Sequence, residues 1–199
     1  MELKSIIKIS GISGIILPIV FILGLMLSIL EAPWFRWTDN AISDLGRSEF
    51  GIPLFNYTLI SIGILLFLFS VGLYYSLKSE RMGPTALALS SIYFVGVGAC
   101  PLPNQIHIDI SGLFFIAFPL GFFILGLNMY KNQYHFIKNM GIIALTIAII
   151  SGVSPIFLLF FNGIAIPEMI IIVPGLLWCM RYGLNLILPD GFSNSKNIQ

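Results

Sequence analysis

Six apolar runs dominate this chain, near residues 6–30, 53–77, 82–100, 108–129, 140–161 and 166–186. Each matches the roughly 20 residues that a helix needs to cross about 30 Å of hydrocarbon. A backbone in lipid must satisfy its own N–H and C=O groups, which leaves helices and closed barrels as the only spanning structures. Barrel strands would read as alternating runs of about ten residues, and the sequence has none. Only 10% of the residues are charged and 57% are hydrophobic, whereas a soluble domain carries about a quarter charged. The excess apolar surface has to face lipid. The fold class is therefore all-α, a polytopic membrane bundle of six transmembrane helices. Residues 1–189 read as a single six-helix domain, and residues 190–199 (DGFSNSKNIQ) as a flexible cytoplasmic tail. The first run follows Lys4 and Lys8 as a signal peptide would. It exceeds a signal h-region, however, and SILEAPWF lacks a small-x-small cleavage pattern, so it reads as a retained helix.

Loop charge sets the orientation. With the N-terminus inside, Lys4, Lys8, Lys78, Arg81, Lys131, Lys138, Arg181 and Lys196 fall on the inner side, against Arg36 and Arg47 outside. The positive-inside rule then gives an N-in, C-in protein with six helices. Glu31, Asp39, Asp44, Glu49, Asp109 and Glu168 gather on the outer side. A net charge of +1 without a basic cluster excludes nucleic acid as a partner. The lipid bilayer is the partner that composition demands. A small, loop-poor bundle also suits a subunit of a membrane complex or a homo-oligomer. No cofactor can be named from the residues.

The outer polar residues concentrate in WFRWTDNAISDLGRSEFG, residues 34–51. Trp34, Phe35 and Trp37 suit a membrane interface, where an apolar ring meets headgroups. After them, TDNAISDLG predicts a short interfacial helix with Thr38 or Asp39 as N-cap and Gly46 at C′. On such a helix Ala41, Ile42 and Leu45 share one face, and Asn40, Ser43, Asp44 and Arg47 share the other. Two further outer segments carry polar groups. CPLPNQIHIDISG supplies Asn104, Gln105, His107, Asp109 and Ser111, and FNGIAIPEM supplies Glu168, with Pro167 suited to the first helical position and the acid to the first turn.

These residues, Asn40, Ser43, Asp44, Arg47, His107, Asp109 and Glu168, are the ligand-binding candidates; no catalytic residue and no metal site is assigned. Three-histidine zinc is excluded, because only one histidine lies outside and catalytic zinc usually takes three protein ligands plus water. One histidine with two carboxylates from Asp39, Asp44, Asp109 and Glu168 is the metal arrangement left for consideration. His107 and Asp109 diverge by about 200° if the helix has begun at Gln105, and converge if Pro101 and Pro103 hold the chain extended. Each candidate also has a structural reading. Asp44 can pair with Arg47, Asn40 and Ser43 can serve as cap and turn residues, and His107 can bond a loop carbonyl. Glu168 can serve the helix dipole. Asp109, between Ile108 and Ile110 at the membrane edge, is the hardest to dismiss as structural, since an acid near hydrocarbon is costly without a partner.

Within the apolar runs, Cys100 and Cys179 lie at opposite ends of the bundle and read as buried thiols. Ala117 with Gly121, and Ala144 with Ala148 and Gly152, have the spacing of close helix contacts. SGIILPIVFILGL in the first run weakly echoes SGLFFIAFPLGFFILGL in the fourth, the pattern of an inverted repeat. The mid-span polar residues are serines and threonines without charge, which disfavours a deep ion relay.

The run Asn40-x-x-Ser43-Asp44-Leu45-Gly46, then PLFN (53–56), IHIDISGLFF after a proline pair, and PE before the last span resembles one family along nearly the whole chain. It is the domain of unknown function 998 family of prokaryotic six-helix membrane proteins. SDLG alone is also similar to a motif of the Frag1/DRAM/Sfk1 membrane proteins. The resemblance implies that Asn40, Ser43, Asp44, His107, Asp109 and Glu168 stand at family motif positions, and it implies no reaction. The leading expectation is an outer-face site for a lipid headgroup, small ligand or metal. A noncatalytic scaffold or complex subunit comes next, and a small transporter third. Cysteine labelling across the membrane tests the topology: the loop at 131–139 should react only from the cytoplasmic side, and reaction from outside would reverse the orientation.

Overall fold

Apolar length is converted directly into helices. The computed structural model describes residues 2–47, 53–77 and 81–188. It contains α1 (Leu3–Leu30), α2 (Leu54–Ser76), α3 (Met82–Ala99), α4 (Gln105–Tyr130), α5 (His135–Val153) and α6 (Ala165–Ile187), with 3-10 helices η1 (Ile42–Gly46) and η2 (Ser154–Leu159). There is no strand among the described residues. All six helices, α5 counted together with η2, are long and apolar enough to cross a membrane. Lys78, Glu49, Lys196 and the tail 190–199 lie outside the described residues.

Consecutive helices pack side by side, and α6 returns to α1 to close a ring. Aromatic rings fill its interior. Phe114, Phe118 and Phe122 recur every four residues on one face of α4, with successive centroids 5.2 and 5.0 Å apart. Phe94 of α3 adds to one end at 4.4 Å. Trp178 and Tyr182 of α6 continue the other end at 5.4 and 5.2 Å. All six are buried, and their offset and edge-on contacts suit the ring quadrupoles. The ring is thus a packed core rather than an open lumen.

Lipid offers no hydrophobic drive for helix association, so close backbone approach and hydrogen bonds carry it. The seam between α1 and α6 shows this. A Cβ on Gly11 would lie 2.9 Å from the Gly183 carbonyl oxygen, and one on Gly183 would lie 2.6 Å from that of Gly11. The Ser10 hydroxyl donates to the Leu68 carbonyl of α2 at 2.6 Å, and the Trp178 indole to the Met140 carbonyl of α5 at 2.8 Å. Several other hydroxyls turn back on their own helix, as Ser28 does on Gly24 at 2.7 Å and Ser70 on Leu66 at 2.7 Å, which removes their cost in hydrocarbon; those of Ser111 and Ser151 are buried without a partner. Pro155 ends α5 because it has no N–H to continue the ladder. The Ser154 hydroxyl takes the Ser151 carbonyl instead, at 2.8 Å.

Ala144 and Ala148 are buried as their spacing predicts, and Gly121 abuts Leu87. Gly152 does not join them: it is exposed and a side chain there would meet nothing within 4 Å. Cys179 is buried as expected, whereas Cys100 is only half-buried. The two glycine environments make a controlled comparison. Gly11→Leu should lower stability by about 1–3 kcal/mol through overpacking. Gly152→Leu should stay within about 0.5 kcal/mol of the parent. Thermal unfolding of both variants in lipid nanodiscs checks this, and equal losses would remove the seam argument.

Candidate functional site

The charged loop after α1 is pinned before it reaches η1. Asn40 closes a turn on Arg36 in both directions, its N–H donating to the Arg36 carbonyl at 3.0 Å and its side-chain oxygen accepting from the Arg36 N–H at 2.8 Å. The backbone preceding α6 then bonds to this turn: Gly163 N–H donates to Thr38 O at 2.7 Å, and Ala165 N–H to Asn40 O at 3.0 Å. The two backbones touch so closely that any Cβ on Gly163 would strike the Asn40 N and O atoms. Only glycine fits there.

From this anchor the chain turns into η1. The Ala41 backbone is extended, and its N–H donates to Asp44 Oδ2 at 2.8 Å. Asp44 Oδ1 pairs with Arg47 at 3.1 Å. Ile42 and Leu45 are buried, 3% and 1% exposed, as their shared face predicts. The helix is nevertheless shorter than TDNAISDLG suggests. It begins at Ile42, so neither Thr38 nor Asp39 caps it, and Asp44 performs the capping role from inside by bonding back to Ala41. Gly46 is its last residue rather than a left-handed C′ residue. The Asn56 side chain lies against Gly46 and donates to its carbonyl at 2.7 Å, so a close contact explains the glycine. The polar face is divided: Asn40 and Asp44 serve the local backbone, Arg47 serves Asp44, and Ser43 turns toward the interior.

Glu168 lies in the first turn of α6, 6% exposed. Pro167 occupies the third helical position rather than the first, since α6 starts at Ala165. The Glu168 Oε2 atom accepts the Ile42 N–H at 2.6 Å across 126 residues of sequence. That bond to η1 is what the reading of Glu168 as a dipole acid lacks. A buried carboxyl demands such partners.

Beside it opens a pocket of ≈ 370 Å³, its mouth included, bounded by η1, α1, α2, α3, α4 and α6. Phe21, Phe55, Phe94, Phe114 and Phe115 line it, and its polar groups are Ser43, Ser111 and Glu168. The Ser111 hydroxyl oxygen is buried without a hydrogen-bond partner.

The other candidates do not converge on that pocket. α4 begins at Gln105, where Asn104 caps it by accepting the Ile106 N–H at 3.0 Å. The helical alternative therefore holds, and His107 and Asp109 point apart. His107 is 3% exposed and Asp109 is exposed. His107 Nδ1 meets the carbonyl oxygens of Val97 at 3.1 Å and Cys100 at 2.9 Å. Those oxygens only accept, so Nδ1 carries a proton, while Nε2 is buried without a partner. Among the described residues no three His, Cys, Asp or Glu side chains come together to hold a metal. The one-histidine, two-carboxylate arrangement is not assembled.

Sequence reasoning named Ser111 among the outer polar residues without making it a candidate, and passed over the five phenylalanines and the Ile42 amide. Ser111 had one signal, its position four residues after His107 on the same helix face; phenylalanines in apolar helices had none. The Glu168 contact yields a direct test. Glu168→Leu leaves the Ile42 amide unmatched and should cost about 1–3 kcal/mol, while Glu168→Gln, which keeps a carbonyl acceptor, should cost clearly less. Hydrogen exchange at 41–46 should quicken in the leucine variant alone; unchanged exchange in both would show that the bond does not hold η1.

No curated protein and no solved structure matches the chain. A family model, described as "Protein of unknown function (DUF998)", matches residues 15–185, which takes in all but the first half of α1 and the end of α6. This multi-pass membrane protein, six apolar helices closed into a ring, belongs to that family of unknown function.

Proposed function

We propose that the protein binds a small amphipathic molecule or a lipid headgroup in the pocket beneath η1. The observation that carries this reading is a buried carboxyl, Glu168, lining an otherwise phenyl-walled pocket together with Ser43 and the unpartnered hydroxyl of Ser111. Apolar pockets with a few convergent polar groups are the usual form of small-molecule sites. Filling the space with carbon alone would suffice for stability, and an unmatched buried hydroxyl works against it.

The pocket belongs to the extracytoplasmic side of a prokaryotic plasma membrane in this reading, with both termini cytoplasmic. Cationic residues at the opposite helix ends support that orientation. Arg81 stacks over Tyr74 at 4.8 Å, Lys138 over Tyr130 at 5.3 Å and Arg181 over Phe136 at 4.7 Å, aromatic–cation pairs suited to a headgroup boundary. Asn40, Asp44 and Arg47 act as the frame that holds η1 over the pocket, and Ser43 and Glu168 as ligand contacts.

Native mass spectrometry of the protein purified with membrane lipids tests the reading. The parent should retain an adduct of small-amphiphile mass, and Ser111→Leu, which fills the pocket with apolar volume, should lose it while keeping its helical circular dichroism. Adducts of equal abundance in both proteins would place binding elsewhere.

A further inference from the structure

We infer that the pocket selects a hydrogen-bond-donating head that carries no negative charge, an alcohol being the simplest case, attached to an apolar body. The inference rests on the reading of the pocket as a binding site and names the chemistry of its occupant.

The polar inventory of the walls decides the head. None of the 12 lining residues is a lysine or arginine. The nearest cation in sequence to a lining residue of η1, Arg47, is paired with Asp44 at 3.1 Å and lies outside the pocket. A phosphate or carboxylate would therefore enter a phenyl-walled space beside Glu168 with no counter-charge, which buried anions require. Backbone donors do not replace one. The Ile42 N–H, which faces the pocket from η1, is already given to Glu168 Oε2 at 2.6 Å.

Acceptors, in contrast, are in surplus. A carboxyl accepts whether or not it holds a proton, and a serine hydroxyl offers two lone pairs beside its single hydrogen. The Ser111 oxygen is buried and unmatched. This bare oxygen, beside the Glu168 carboxyl, has lone pairs free for a donor. The walls set the remainder: five phenyl rings favour an apolar body, with the head held at the Glu168–Ser111 level.

Photo-crosslinking in nanodiscs separates this proposal from the reading beneath it. The probes are diazirine-bearing medium-chain alkyl compounds that end in a hydroxyl, an amine, a methyl ether, a carboxylate or a phosphate. Peptides are mapped by mass spectrometry, with Ile116 and Leu120, exposed on α4, as the lipid-facing reference. The hydroxyl probe should label Ser111, Phe114 or Phe115 above that reference, and its methyl ether should label them about fivefold less, the worth of one lost hydrogen bond. Ser111→Ala should reduce labelling by the alcohol and leave labelling by the ether unchanged. Amine labelling equal to or above that of the alcohol also supports a donor without negative charge. Labelling by carboxylate or phosphate as strong as by the alcohol, or by the ether as strong as by the alcohol, would overturn the head assignment while leaving the site intact. If no probe labels the pocket above the lipid-facing reference, the site reading itself falls and the head assignment with it.

Discussion

The contact between the Ile42 amide and the Glu168 carboxyl joins parts of the chain that lie far apart in sequence. One partner lies on a loop helix of five residues, far too short to be stable by itself. The other begins a spanning helix 126 residues later. Two backbone hydrogen bonds, from Gly163 to Thr38 and from Ala165 to Asn40, bring the segments into register first. Within that register the carboxyl finds the amide, and the loop becomes a roof over the pocket instead of a solvated link. Polar side chains of residues 34–51 serve this construction: Asp44 ties to the Ala41 backbone and to Arg47, and Asn40 to the Arg36 backbone.

What was legible in the sequence follows the physics of each signal. Bilayer thickness fixes how many apolar residues a span needs, so the six helices could be counted and located within a few residues. Their ends were less legible. α4 begins at Gln105 and α5 at His135, several residues before their apolar runs, because polar residues at a helix end add turns that hydropathy does not register. Proline chemistry at Pro155 could have foretold the early end of α5, but apolar length masked it. In η1 the apolar face was right and the caps were wrong, since a 3-10 turn closed by its own Asp44 shares most of its pattern with an α-helical turn.

The site was the least legible part, and for one reason. A list of outer polar residues ranks side chains by type, while a site depends on direction. Asp109 looked the hardest to explain structurally and is exposed, whereas Ser111, one outer polar residue among several, was not a candidate and lines the pocket. His107 met the bland expectation of a loop-carbonyl bond and still retains an unmatched nitrogen. The partner of Glu168 is a backbone amide, which no side-chain pattern can reveal.

The closure of the ring by α1 and α6 bears on how the molecule is made. Five of the six seams join helices that follow one another along the chain, so each can form as soon as its second member enters the bilayer. The sixth has no loop and relies on the fit of Gly11 against Gly183. During synthesis from the N-terminus, the small-residue stripe of α1 has to wait, facing lipid or an insertion chaperone, until the last helix is released from the ribosome. The pocket wall supplied by Ile172 and the roof anchored on Glu168 are completed in that same final event, so a nascent chain truncated before α6 has neither a closed ring nor a site.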